Sequence, residues 1–191
     1  PNYLQTAHEI LLAHPSVGII GGRSVGKFTV EKPHWLDRIS FRYALGSQKR
    51  GESGIYNSVI PWGAGMVLRK KWVSQIFESG YPLMAMGPTS HADLSGAEDS
   101  ELVFLARLMG WQIYITDDLV FDHAIHENRL TIEHAQKLTQ ARPKTFQRIS
   151  QFYSPIIRWR DQDFWSKSQH FLAALIFGHV YPGNPKQVLQ L

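Results

Sequence analysis

Between Val17 and Ala124, short apolar runs of strand length alternate with segments of helical spacing, and beyond Arg129 the helical pattern continues alone. A chain ordered in this way buries its apolar faces by layering helices on a sheet, so an α/β arrangement with a helical tail is expected. Tyr3 to Ala13 sets Leu4, Ala7, Leu11 and Leu12 at helical spacing and stops at His14-Pro15, because the residue before a proline avoids the helical region. Val17 to Ile20 reads as a buried strand running into Gly21-Gly22. Trp35 to Gly46 reads as a peripheral helix or strand, and Gly51 to Asn57 as a loop. Val59 to Arg69 is a Gly-rich turn feeding a strand, and Lys71 to Phe77 a short helix closed by Gly80.

After a turn-rich passage from Gly87 to Gly96, a helix starting near Asp99 puts Leu102, Leu105, Ala106 and Met109 on one face and ends at Gly110. Trp111 to Ile115 and Leu119 to Ala124 are two extended segments, and the tail is expected to break at Pro143 and Pro155. The change of pattern divides the chain into an α/β part, residues 1–128, and a helical extension, residues 129–191.

With 191 residues, 43% of them hydrophobic, the chain can bury a core of its own. Its longest apolar run, Phe171 to Phe177, falls well short of the roughly 18 residues that a membrane span needs. The N-terminal Pro-Asn-Tyr-Leu-Gln-Thr-Ala-His has neither the basic start nor the apolar stretch of a signal peptide and lacks a starting Met, which suits a processed or truncated chain. The absence of cysteine excludes disulfides, thiolate metal sites and cysteine nucleophiles, and it fits a reducing compartment.

The formal charge of +4 is uneven, because Arg129 to Lys167 holds eight Lys or Arg against three acids. There Arg142, Lys144, Arg148, Arg158, Arg160 and Lys167 interleave with Phe146, Phe152, Tyr153, Trp159, Phe164 and Trp165. Such a stretch suits a solvated helical face, peripheral contact with an anionic membrane, or stacking on single-stranded nucleic acid. No recognisable nucleic-acid motif accompanies it, and helical spacing puts most of the rings in a core.

Three places carry chemistry. In Gly96-Ala97-Glu98-Asp99-Ser100-Glu101-Leu102 two adjacent carboxylates stand at a helix start, where free N–H groups favour the ionised form; an N-cap role for Asp99 explains the same residue type. His123, in Phe121-Asp122-His123-Ala124, follows a strand and is placed to ligate a divalent metal, to meet a phosphate, or simply to hydrogen-bond. Trp62-Gly63-Ala64-Gly65-Met66 lacks the spacing of a dinucleotide fingerprint, and no P-loop occurs; its glycines allow close approach of a ring or sugar, as they would allow any tight turn.

Taken in order, four pieces resemble the family 2 glycosyltransferases of GT-A fold. They are His14-Pro15-Ser16-Val17-Gly18 with Gly21-Gly22; Trp62-Gly63-Ala64-Gly65-Met66-Val67-Leu68-Arg69; Gly96-Ala97-Glu98-Asp99-Ser100-Glu101-Leu102; and Gly110-Trp111-Gln112-Ile113 leading to Phe121-Asp122-His123 and Arg129-Leu130-Thr131. The resemblance implies a partial GT-A-like mixed sheet with flanking helices over residues 1–128, followed by the helical extension. It implies Asp99 as the general base of an inverting transfer, with Glu98 in support. It sets Trp62, Gly63, Ala64 and Gly65 at the border of donor sugar and acceptor, His123 at a metal or diphosphate site, and Arg129 toward the diphosphate.

Mg²⁺ or Mn²⁺, a nucleotide-sugar donor and a glycan or lipid-linked acceptor are the implied cofactor and partners. The implied setting is polysaccharide biosynthesis for a bacterial cell surface, in the cytoplasm at the inner face of the membrane. The family's Asp-x-Asp metal motif belongs to a donor-binding half that does not precede these residues. Asp161-Gln162-Asp163 has its letters in the wrong part of the chain and reads as a helix-flanking acidic pair. The chain is therefore expected to be the acceptor-side half, inactive alone and prone to self-association through an uncovered sheet edge. The alternative is a glycosyltransferase-like binding or scaffold module without turnover.

Overall fold

The computed structural model describes residues 2–49, 51–56, 58–85, 97–140 and 144–163. The expected turns from Gly87 to Gly96, the break at Pro143, the run Phe171–Phe177 and the rings Phe164 and Trp165 lie outside them. A four-stranded mixed sheet forms the centre, in the order β2-β4-β1-β3, with β1 Val17–Phe28, β2 Gly54–Ile55, β3 Val67–Leu68 and β4 Gln112–Ile125. The long strands β1 and β4 pair in parallel, and the two-residue strands β2 and β3 pair antiparallel on their outer edges. The α/β class expected from the alternation is present.

The two faces of the sheet feed two cores, and the register shifts at Val17/Ile19 and Gly21/Arg23 put Val17 and Leu119 on the face opposite Ile19 and Ile115. Ile19, Ile113 and Ile115 face Trp72, Val103, Phe104 and Ala106, which come from α2 (Lys70–Glu78) and α3 (Glu98–Leu108). Val17, Ile20 and Leu119 face Ala7 of α1 (Tyr3–Ala13) on the other side. A third cluster, Leu36, Tyr43, Ile125 and Leu130, closes the far end of the long strands. Leu36 and Tyr43 belong to a 3₁₀ segment, His34–Tyr43, so the peripheral element expected there is helical in character.

Long-range hydrogen bonds tie these elements together. At the end of α1 the Arg69 guanidinium donates to the carbonyls of Leu11 (2.7 Å), His14 (3.2 Å) and Val17 (2.8 Å), satisfying groups that a helix end leaves open. The indole N–H of Trp72 reaches the Gly18 carbonyl at 2.9 Å and ties α2 to β1.

Other expectations need correction. The strand expected to stop at Ile20 continues to Phe28, and the segments expected at Trp111–Ile115 and Leu119–Ala124 are one strand. The polar residues between them, read as a break, are satisfied without leaving it. Asp117 accepts from Ser47 Oγ (2.6 Å) and pairs with Lys49 (3.4 Å), while Thr116 donates to Asp118 and meets Ser53, both at 3.0 Å. The register shift between Gly21 and Arg23 takes up the extra length of β4. Part of the loop expected at Gly51 to Asn57 forms β2.

The helix α3 is not amphipathic in the expected sense. Ser100, Glu101, Val103, Phe104, Leu105 and Ala106 are buried, whereas Met109 is 41% exposed. A second helix covers its outer side: α5 (Lys144–Asp161) packs Ile149, Tyr153 and Ile157 into the main core, and α4 (Ile132–Gln140) precedes it. Pro155, expected to break the tail, lies inside α5. Proline removes one backbone hydrogen bond, but burial of Ile149, Tyr153 and Ile157 on the inner face outweighs that loss.

Among the tail's rings Tyr153 is core, and Phe104 stacks on it at 5.8 Å. Arg148 and Arg158 are exposed, while Arg160 pairs with Asp161. Among the described residues no helix is long and apolar enough to cross a membrane.

Candidate functional site

The N-terminus of α3 brings the predicted acid pair to the glycine turn. Ala97 is the N-cap and makes no side-chain capping bond, so Asp99 lies one residue inside the helix and is not the cap expected as one reading of it. Its carboxylate instead bridges two segments. Oδ2 accepts the Gly63 N–H at 2.8 Å, and Oδ1 accepts the Ser100 N–H at 2.7 Å and the Ser100 hydroxyl at 3.3 Å.

Asp99 is half-buried, and that burial pushes its pKa above the ordinary aspartate value; the bonds from Gly63 and Ser100 pull it down and the neighbouring Glu98 charge pushes it further up. Burial wins. The result is a carboxylate fixed in orientation and more basic than a free one. Glu98 acts on it through its negative charge, the smallest of these effects.

Gly63 to Met66 form a β-turn closed by the Met66 N–H on the Gly63 carbonyl at 3.1 Å, with Gly65 at its third position at φ +64°. Turns of this second type need a positive φ at that place. A side chain on Gly63 would meet Asp99 Oδ2 at 2.9 Å, and one on Gly65 would meet the Phe121 ring at 2.3 Å. Both glycines therefore permit close approach: one admits the carboxylate and the other the ring. Ala64 sits between them, and Tyr3 donates its hydroxyl to the Gly65 carbonyl.

A residue that the sequence did not single out holds the entry to this turn. Gln48 accepts the Trp62 N–H at 2.7 Å and donates to the Gly22 carbonyl at 2.8 Å, linking the turn to β1. No periodicity marks a lone glutamine in a loop, so only the folded chain brings it out.

His123 and Arg129 occupy the other end of the long strands. The Phe121 ring connects that end to the turn: it packs against Gly65 and lies 6.3 Å from the imidazole of His123. His123 Nδ1 is 3.4 Å from the Ala44 carbonyl. Among the described residues no three His, Cys, Asp or Glu side chains converge to hold a metal, so His123 offers a single ligand and the implied Mg²⁺ or Mn²⁺ does not fit these residues as a complete site. Arg129 lies with its guanidinium 5.8 Å from the ring centre of Tyr43, and its carbonyl accepts the Tyr43 hydroxyl at 2.8 Å. It anchors the third core cluster.

The turn gives a direct stability test. Gly65→Ala forces an L residue into the left-handed region and drives its Cβ into Phe121, so it should destabilise the fold by about 2–3 kcal/mol in denaturant titration. Gly63→Ala, with an ordinary φ, escapes the backbone strain and should cost less, although it pushes on the Asp99 carboxylate held there. Equal effects would show that the turn geometry does not constrain this loop. No family model, curated protein or solved structure matches the chain.

Proposed function

We propose that these residues are the acceptor side of an inverting, nucleotide-sugar-dependent glycosyltransferase in which Asp99 is the general base. The observation that carries this reading is the Asp99 carboxylate: pinned by Gly63 and Ser100, half-buried, and raised in pKa by that burial. A base is most useful when its pKa has moved toward the working pH while its position stays fixed. The glycine turn, free of side-chain bulk beside that carboxylate, suits a sugar hydroxyl brought within hydrogen-bond reach.

In the proposed reaction the acceptor hydroxyl oxygen attacks the anomeric carbon of the donor sugar from the face opposite the leaving nucleoside diphosphate. The new glycosidic C–O bond forms as the bond to the diphosphate oxygen breaks, and configuration inverts. Asp99 takes the hydroxyl proton, so no alkoxide has to develop in free form. Trp62, held through its N–H by Gln48, and the Gly63-Ala64-Gly65 turn would border the two sugars. The charge leaving with the diphosphate would be met by groups beyond the described residues, since His123 does not complete a metal site there.

Release of nucleoside diphosphate from uridine, guanosine and thymidine diphosphate sugars, measured with and without Mn²⁺, tests the reading. The 191-residue chain alone is expected to release none, and the full-length natural protein to do so only with an acceptor present. Robust transfer by the chain alone would overturn its assignment as an acceptor-side half. Tight nucleotide-sugar binding by the full-length protein without turnover would favour a binding module.

A further inference from the structure

Glu101 is 1% exposed, and among the described residues no Lys, Arg or His pairs with it. Burying a carboxylate is costly unless hydrogen bonds replace its water, and a well-packed apolar side chain is often the more stable occupant of such a position. Here the replacement is complete. Oε1 accepts the Met84 N–H at 2.8 Å and the Tyr153 hydroxyl at 2.8 Å, and Oε2 accepts the Ala85 N–H at 2.7 Å. The Tyr153 hydroxyl also meets that of Tyr81 at 2.8 Å. One carboxylate thus joins α3, the segment 81–85 and α5.

Asp99 and Glu101 are two residues apart in the first turn of α3, so with 3.6 residues per turn their side chains leave opposite sides of the helix. Asp99 bonds to the glycine turn on one side, and Glu101 bonds to 84–85 and α5 on the other. Rolling α3 to withdraw Asp99 from Gly63 would break all three bonds to Glu101. The buried side chains of α3 oppose such a roll by packing, and the hydrogen bonds add angular selectivity because they weaken steeply with angle.

We propose that Glu101 and Tyr153 are positioning residues: their hydrogen bonds fix the rotation of α3 that aims the Asp99 carboxylate at the glycine turn. This inference rests on Asp99 being the base, but its test does not. Tyr153→Phe in the whole chain keeps the ring, and with it the stack on Phe104, and deletes only the hydroxyl. Three measurements are compared with wild type: amide hydrogen exchange at Gly63, the carboxyl NMR titration of Asp99, and the thermal midpoint.

The expected result is a Gly63 amide exchanging at least ten times faster and an Asp99 titration falling back toward the ordinary aspartate range, with the midpoint lowered as well because the buried Glu101 carboxylate loses one donor. Unaltered Gly63 exchange and Asp99 titration would overturn the proposal, whatever the midpoint does, since a purely structural network would lower stability without reaching Asp99. If Tyr153→Phe fails to fold, Tyr81→Phe, which removes the outer hydroxyl of the same chain, decides the matter: a smaller shift in the same direction supports the proposal and no shift ends it. Undiminished turnover in Asp99→Asn would sink the base assignment and leave the Gly63 exchange result standing.

Discussion

Asp99→Asn, at the proposed general base, should lower the proposed transfer by at least the ~10²-fold that losing such a group costs, while leaving the affinity for a nucleotide-sugar donor nearly as it was. That corresponds to about 2.7 kcal/mol of transition-state stabilisation. The substitution keeps the shape of the side chain and an oxygen able to accept from Gly63 or Ser100, so the fold should persist. It removes the ability to take a proton.

The pH dependence follows from the raised pKa of Asp99. The proposed transfer needs the ionised form, so the acid limb of its rate profile should lie above the ordinary aspartate range. For stability the sign is opposite. A folded pKa above the unfolded one means that the folded chain holds this proton more tightly; the contribution is complete below the unfolded value and is lost as pH rises through the folded one. Asp99→Asn should flatten that part of the stability profile. Wild-type turnover in the variant would remove Asp99 from the mechanism, and loss of folding would point to a role in holding the start of α3.

Trp72→Ala should be among the most damaging single changes to the fold. Trp72 is fully buried in the main core, packs against β1 and α3, and donates its indole N–H to Gly18. Truncating a buried tryptophan costs about 3–5 kcal/mol through lost burial and the cavity left behind, and here the Gly18 carbonyl also loses one of its two donors, keeping the Arg69 N–H at 2.9 Å. Set against the ~5–15 kcal/mol by which domains are stable, that is a large share. For a chain of this size the midpoint should fall by about 10 °C in a thermal melt. A drop of only a degree or two would show that α2 contributes little to the core.

By itself the sequence determined what depends on near neighbours. The helices α1 and α2, the start of α3 and the turn at Gly63 to Met66 could all be read because helical spacing, a proline after His14 and paired glycines act within a few residues of where they stand. The Glu98-Asp99 pair was legible for the same reason.

Tertiary structure decided wherever distant partners change what a residue costs. Thr116, Asp117 and Asp118 interrupt an apolar pattern, yet β4 runs through them because Ser47, Lys49 and Ser53 satisfy them from far along the chain. Pro155 stays in a helix because the inner face of α5 is buried. Glu101, which no local pattern singles out, lies in the core because two backbone N–H groups at 84–85 and a tyrosine hydroxyl fifty-two positions away replace its water. Local pattern records preference for water or core; whether a polar group can leave water depends on donors that only the folded chain brings to it.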